Sequence, residues 1–170
     1  LPRRIGRRVR GNRRWGFVGN VLRSLDAELG YRRDFVDIDI DASVDRFEQL
    51  QRHAHALRAT YEHLKACDAL VINGEGDMIF RTPPRRKLLF LLTLMELARR
   101  LGKQVFYVNA MVSDCPVSER HLPTVRESMR QLRACEGVSL RDPQSLQMLS
   151  ELDSEVDAVM IPDALFSWAE

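Results

Sequence analysis

The chain is poor in the residues that build metal centres and disulfide frameworks. Its 170 residues include three cysteines, Cys67, Cys115 and Cys135, and four histidines. An odd cysteine count, with no CxxC pair and no histidine at metal-ligand spacing, excludes a disulfide scaffold and an ordinary zinc site. Unpaired thiols fit a reducing, cytoplasmic setting. Cys67 and Cys135 each sit where a helix runs out before a strand, positions that suit small buried side chains. His53, His55 and His63 lie off the apolar stripe of one predicted helix and form no HxxxH pair, and His121 stands alone before another helix. The chain has neither a GxGxxG fingerprint nor a GxxxxGK[ST] loop, so a dinucleotide cofactor and a Walker-type nucleotide site are both unsupported. Its most apolar stretch, residues 88–97, is far short of the roughly 20 residues that a membrane-spanning helix requires. No hydrophobic region follows the basic amino end, so no signal peptide is read.

What is present is an ordinary globular composition, 45% hydrophobic and 29% charged, enough for one domain with a sizeable core. The net charge is +2, but it is unevenly spread. The first fourteen residues hold seven arginines (3, 4, 7, 8, 10, 13 and 14) and no acid, on a body with more acids than bases. Such an arm suits an anionic membrane surface or nucleic acid; it is equally the composition of a frayed end. No nucleic-acid-binding motif accompanies it, and nucleic acid is not expected as a partner.

From residue 34 the hydrophobic period alternates between two and 3.6. Residues 34–40 read as a strand, with Val36, Ile38 and Ile40 on one face and Asp37 and Asp39 on the other. Residues 46–65 read as one helix, its stripe formed by Phe47, Leu50, Ala54, Leu57, Tyr61 and Leu64. A continuous apolar run at 69–72 reads as a strand covered on both faces. Pro83 and Pro84 open a helix that runs to about Arg100 and stops at Gly102. Strands at 104–108, 137–140 and 156–161 alternate with helices at 123–134 and 143–152. This order predicts an α/β fold: a Rossmann-like parallel sheet flanked by helices over residues 16–170. Residues 16–29 read as helical. Residues 1–15 form a basic arm or an irregular first strand, their arginines suiting a buried strand poorly.

In open parallel sheets ligands bind beyond the carboxyl ends of the strands. Four successive predicted strands end there in polar groups: Asn73-Gly74-Glu75-Gly76-Asp77, Asn109, Arg141-Asp142 and Asp163. Gly74 and Gly76 allow positive φ and close backbone approach to a ligand, or simply a tight turn. Glu75 between them is less easily explained by turn geometry. A carboxylate held at a crevice can accept hydrogen bonds from sugar hydroxyls or act as general acid or base. Asp142 before Pro143 is first of all a helix N-cap. Arg141 either faces the crevice or has an internal carboxylate partner. Arg81, Arg85, Arg86 and Lys87 either attract an anionic substrate or form the solvated start of a helix.

These segments carry a family resemblance. Asp68-Ala-Leu-Val-Ile-Asn-Gly-Glu-Gly-Asp77 resembles the central strand motif of the polysaccharide pyruvyl transferases. The helix at 87–101 with Gly102-Lys103-Gln-Val is similar to that family's next unit. Val138-Ser-Leu-Arg-Asp-Pro-Gln-Ser145 resembles its R-D-x-x-S element, and Ile161-Pro-Asp-Ala-Leu-Phe166 its P-D-x-x-F element. Gly11-Asn12 with Trp15-Gly16 is like its N-W-G segment, except that two arginines separate Asn12 from Trp15. The resemblance covers most of residues 11–166.

It implies one half of a GT-B-like enzyme built from two facing Rossmann-like domains, the second lying outside this chain, which alone is then expected to be inactive. It also implies transfer of pyruvate from phosphoenolpyruvate onto two hydroxyls of a sugar or lipid-linked saccharide as a cyclic ketal, with no further cofactor and no metal. Glu75 would be the catalytic or sugar-binding carboxylate. Asn12, Asn73, Gly74, Gly76, Asn109, Arg141, Asp142 and Asp163 would bind substrate. The expected location is cytoplasmic, with peripheral association at the inner membrane face and homo-oligomerisation left open. Two other readings stand beside it: a GT-B-type glycosyltransferase using a sugar nucleotide, and a non-catalytic sugar- or anion-binding domain.

Overall fold

The computed structural model describes residues 35–113 and 115–163. In chain order its elements are helix α1 (Ile40–Leu50), helix α2 (His55–Ala66), strand β1 (Ala69–Ile79), helix α3 (Arg86–Arg100), strand β2 (Gln104–Ser113), a 3-10 turn (Val117–Glu119), helix α4 (Leu122–Arg133), strand β3 (Gly137–Leu140), helix α5 (Pro143–Leu152) and strand β4 (Ala158–Met160). The strands form one parallel sheet in the order β1-β2-β3-β4. Each strand reaches the next through a helix, as parallel neighbours must. Helix α3 packs across β1 and β2, α5 across β2, β3 and β4, and both α1 and α4 lie against α3. The α/β parallel-sheet expectation is thus met over the described residues. The basic arm, Asn12 and the helix read at 16–29 lie outside them.

Three expectations need correction. Residues 35–39 are not a strand, and helix α1 begins at Ile40. The alternating aspartates belong to a helix start: Asp39 caps α1 by accepting from the Ala42 amide at 2.9 Å, and the Ser43 hydroxyl accepts from the Asp37 amide at 2.9 Å. Phe35, Val36 and Ile40 are buried all the same, with Phe35 edge-on to Phe47. The single helix read at 46–65 is two helices, broken at residues 51–54, where buried Ala54 precedes α2. Finally, β1 and β2 run to Ile79 and Ser113, well past the ends expected at 72 and 108. The Asn73-Gly74-Glu75-Gly76 segment and Asn109 therefore lie inside strands rather than in the loops that follow them.

Two further boundaries shift: α3 begins at Arg86, past Pro83 and Pro84, and the last strand is only Ala158–Met160. At α5 and at the end of α3 local chemistry sets the boundaries as read. Asp142 and Pro143 start α5, and Gly102, at φ 71°, follows the end of α3. Cys67 and Cys135 end helices as expected, each donating its thiol to a carbonyl of the preceding turn, Leu64 and Gln131 respectively. Burial pushes the Cys135 thiol up to about 12, so it stays protonated and unreactive. Among the described residues no helix is long and apolar enough to cross a membrane.

The helical layer is tied by a partly buried ion cluster. The Glu96 side chain on α3 is only 11% exposed and lies 2.5 Å from the Arg99 guanidinium and 3.6 Å from Arg130 of α4. Gln131 donates to the same carboxylate at 3.1 Å and also accepts from Arg99. Arg100 reaches back to Asp41 and Asp45 of α1 at 2.9 and 2.6 Å. Asp45 and Asp41 raise the pKa of Arg100, and Glu127, 2.7 Å from Arg130 one turn back on α4, is the main cause that raises the pKa of Arg130, both further above an already high range.

Candidate functional site

The site is built on the middle of β1. Its residues alternate there, Ile72 and Gly74 buried, Val71, Asn73 and Glu75 exposed, so Asn73 and Glu75 stand on an open face of the strand. Gly74 is glycine for a steric reason. A Cβ at that position would fall 2.5 Å from the Tyr107 hydroxyl and 2.7 Å from Ala110 Cβ, both on the adjoining strand. Gly74→Ala is therefore expected to lower stability by about 1–3 kcal/mol, read as an earlier urea midpoint with an unchanged slope. An unchanged midpoint would show that Tyr107 swings aside freely. Gly76 has open space around it and carries no such constraint.

Tyr107 is fully buried beneath the motif, and its hydroxyl has no hydrogen-bond partner among the described residues. Burial first, then the nearby Asp77 carboxylate, drives its pKa up, so the phenol is neutral. Tyr107→Phe is expected to stabilise the protein by about 1 kcal/mol, because an unsatisfied buried hydroxyl is removed without a change of shape. A fall in thermal midpoint would instead show that the hydroxyl holds a buried water.

Two non-glycine residues take left-handed backbone, Glu75 at φ 40° and Asn109 at φ 51°. They occupy neighbouring strands at nearly the same level, since Glu75 pairs with Ala110. Each coincides with an irregularity: β1 slips against β2 between Glu75 and Met78, and β2 slips against β3 between Tyr107 and Ala110. Asn tolerates this conformation, whereas for Glu it is strained, and such strain concentrates at functional sites. The kink at Asn109 frees its amide, which the buried Ser139 hydroxyl accepts at 3.2 Å. The Asn109 side-chain amide donates to Asn73 Oδ1 at 3.1 Å. That single bond leaves the Asn73 NH2 group and the Asn109 carbonyl oxygen with capacity for a ligand.

Arg141 follows β3, and its amide donates to the Ala110 carbonyl at 3.0 Å, level with Glu75 across β2. Two strand spacings, about 10 Å, separate the two backbones. The guanidinium has the internal carboxylate partner that was one of its two expected fates: Asp163 lies 3.1 Å away, the side chains 27% and 19% exposed. Arg141 also sits 2.6 Å from Met111 Sδ. Asp142 is wholly engaged as a cap, accepting from the Ser145 amide and hydroxyl, both at 2.7 Å. Ser145 in turn accepts from the Val112 amide at 3.0 Å, which fastens α5 to β2.

The structure therefore joins the expected residues in two pairs, Asn73 with Asn109 and Arg141 with Asp163, with Glu75 beside the first and in line with the second. Sequence reasoning missed Tyr107, Ser139 and the Asp77–Lys87 ion pair, at 2.8 Å with Asp77 nearly buried. No local pattern signals any of them, because each partner comes from another element. Among the described residues no group of three or more His, Cys, Asp or Glu side chains is placed to hold a metal ion. Chemically, the array offers one exposed carboxylate for proton transfer or hydroxyl binding, amide donors and acceptors for a polar ligand, and a guanidinium partly neutralised by its own acid.

Comparison with known proteins adds one match. The family model described as "Polysaccharide pyruvyl transferase" matches residues 13–169. No curated protein and no solved structure matches the chain.

Proposed function

The chain belongs to the polysaccharide pyruvyl transferase family, a family of transferases, and from that premise we propose that it takes part in moving pyruvate from phosphoenolpyruvate onto two hydroxyls of a saccharide, forming a cyclic ketal. The observation that carries this reading is Glu75, an exposed carboxylate held in strained backbone beside the Asn73–Asn109 pair.

The reaction needs a proton delivered to the methylene carbon of the enol, which leaves the adjacent carbon electrophilic. One sugar hydroxyl adds there and loses its proton. The second hydroxyl then displaces phosphate, and its proton leaves with the phosphate or to solvent. Glu75 can receive the first hydroxyl's proton and return one to the methylene carbon, so a single carboxylate closes the balance. Asn73 and Asn109 hold the diol, since paired amides offer both donor and acceptor to vicinal hydroxyls. Arg141, ion-paired with Asp163, faces the anionic side of the donor. In this reading the sheet is one half of a two-domain, GT-B-like enzyme, and further cations for the donor's phosphate and carboxylate come from the facing half.

The test is made on the whole protein with phosphoenolpyruvate and a glycan acceptor. Phosphate release is expected only when acceptor is present, in equal amount with a sugar product carrying the pyruvate ketal by mass spectrometry. Consumption of a sugar nucleotide in place of phosphoenolpyruvate would overturn the reading in favour of glycosyl transfer.

A further inference from the structure

One patch near the carboxyl end of β1 takes no part in the chemistry above. Residues just beyond β1 meet the segment that leads from β2 to α4: Arg81 bridges to Arg120, the Thr82 amide donates to the Glu119 carbonyl at 3.0 Å, and the His121 amide to the Phe80 carbonyl at 2.7 Å. On either side of Arg120 stand two large apolar side chains in solvent, Val117 at 74% and Leu122 at 57% exposure. Leu122 shares an α4 face with the exposed Arg126 one turn on. Arg81 and Arg86 are exposed on the neighbouring segment, with Arg85 half-buried. Residues 81–87 and 114–126 together contain six basic residues (Arg81, Arg85, Arg86, Lys87, Arg120 and Arg126) against two acids (Asp114 and Glu119), and Lys87 is offset by its ion pair with Asp77.

We propose that this edge docks on an anionic lipid surface, with Val117 and Leu122 entering the headgroup boundary and Arg81, Arg85 and Arg126 facing lipid phosphates. Two isolated apolar side chains are too little for a stable protein interface, which buries on the order of 1,000 Å² or more. Combined with an excess of cations, they are the make-up of an interfacial membrane contact, where each cation and each inserted side chain adds separately. The patch adjoins the strand that carries Glu75, so docking would present that strand to a saccharide held on a lipid carrier. In this respect the inference rests on the transferase reading above, but its test does not depend on turnover.

The full-length protein is sedimented with vesicles of phosphatidylcholine alone and of phosphatidylcholine with about one third phosphatidylglycerol. Binding to the anionic vesicles is expected, weakened by salt and weak or undetectable on the neutral ones. Arg81→Gln and Arg85→Gln are each expected to lower the partition coefficient about five-fold, and Val117→Ser and Leu122→Ser together about ten-fold or more. Arg81, Val117 and Leu122 are exposed and Arg85 is half-buried, and circular dichroism checks that each variant folds. Any of three results would overturn the proposal: no binding by the unaltered protein, equal binding to neutral vesicles, or binding indifferent to all four substitutions. Loss of a dimer in Val117→Ser/Leu122→Ser, measured by ultracentrifugation without lipid, would overturn it in favour of a contact between copies. Because vesicle binding is read without substrate, an absence of ketal formation leaves the result standing. Where activity is present, the serine variants are expected to act on a water-soluble acceptor as before and to lose rate only on a lipid-linked one.

Discussion

Glu75→Gln is expected to lower turnover by roughly 100-fold or more while leaving the unfolding midpoint unchanged, if the carboxylate transfers a proton in the rate-limiting step. Gln keeps the shape and the backbone preference of Glu and removes only the charge and the proton. Glu75→Gly separates the chemistry from the strain. At φ 40° a glycine relieves a left-handed penalty of about 1–2 kcal/mol, so this variant should unfold at higher denaturant and yet be inactive. A residue that gains stability and loses activity is one whose strain is retained for function. Should Glu75 only bind a sugar hydroxyl, the Gln variant would lose about 1.5–3 kcal/mol, a charged hydrogen bond, and the loss would fall on acceptor KM. If both variants keep full activity per folded molecule, Glu75 has no part in the reaction and the proposed mechanism is wrong. The measurements are steady-state phosphate release across acceptor concentrations and urea unfolding of the same three proteins.

How much of this was legible in the sequence differs from element to element, for physical reasons. Strand β3 and helix α5 fall where the pattern put them, because the Val138–Leu140 run and the Asp142–Pro143 cap are local signals that agree with the tertiary fold. The segment at 34–40 misled because a period-two pattern of Asp and apolar residues is also what a capped helix start with a buried flank looks like. Strand β1 reads short in the sequence because Asn and Gly are poor strand formers, and only Tyr107 and Ala110 packing beneath explains why Gly74 belongs inside one. Asn73, Asn109, Arg141 and Asp163 are legible as polar groups following apolar runs, but the pairing of Asn73 with Asn109 and of Arg141 with Asp163 depends on strand order. The left-handed backbone of Glu75 had no signature, since nothing in its side chain prefers that conformation. Asn12 lies outside the described residues.

The second large effect is expected far from the substrate, at Glu96. Glu96→Ala should lower stability by about 3–5 kcal/mol, the cost of removing one partner from a buried ion pair. The side chain is 11% exposed and is shared by Arg99 at 2.5 Å and Arg130 at 3.6 Å, while Gln131 donates to it at 3.1 Å. Without the carboxylate, the Arg99 guanidinium, 24% exposed, keeps only Gln131 as an acceptor and its Nε has none among the described residues, whereas Arg130, 42% exposed, keeps Glu127 as its main partner. Glu96→Gln keeps the outline and one hydrogen-bond acceptor, so the loss should be smaller, about 1.5–3 kcal/mol. The peripheral pairs behave differently. Arg100 meets Asp41 and Asp45 with those carboxylates more than half exposed, so Asp45→Asn should cost under about 1 kcal/mol and less still in high salt. The contrast between the two acids isolates burial, because both face arginines at similar distances. Functional consequences follow through position alone. Helix α3 backs β1, and a loosened α3 lets the strand that holds Glu75 relax. Activity of Glu96→Ala should therefore fall steeply with temperature while that of Glu96→Gln tracks the unaltered protein at low temperature. Equal stability of the alanine variant and the parent would show that water already solvates the cluster and that Glu96 adds nothing to the hold of α3 on α4.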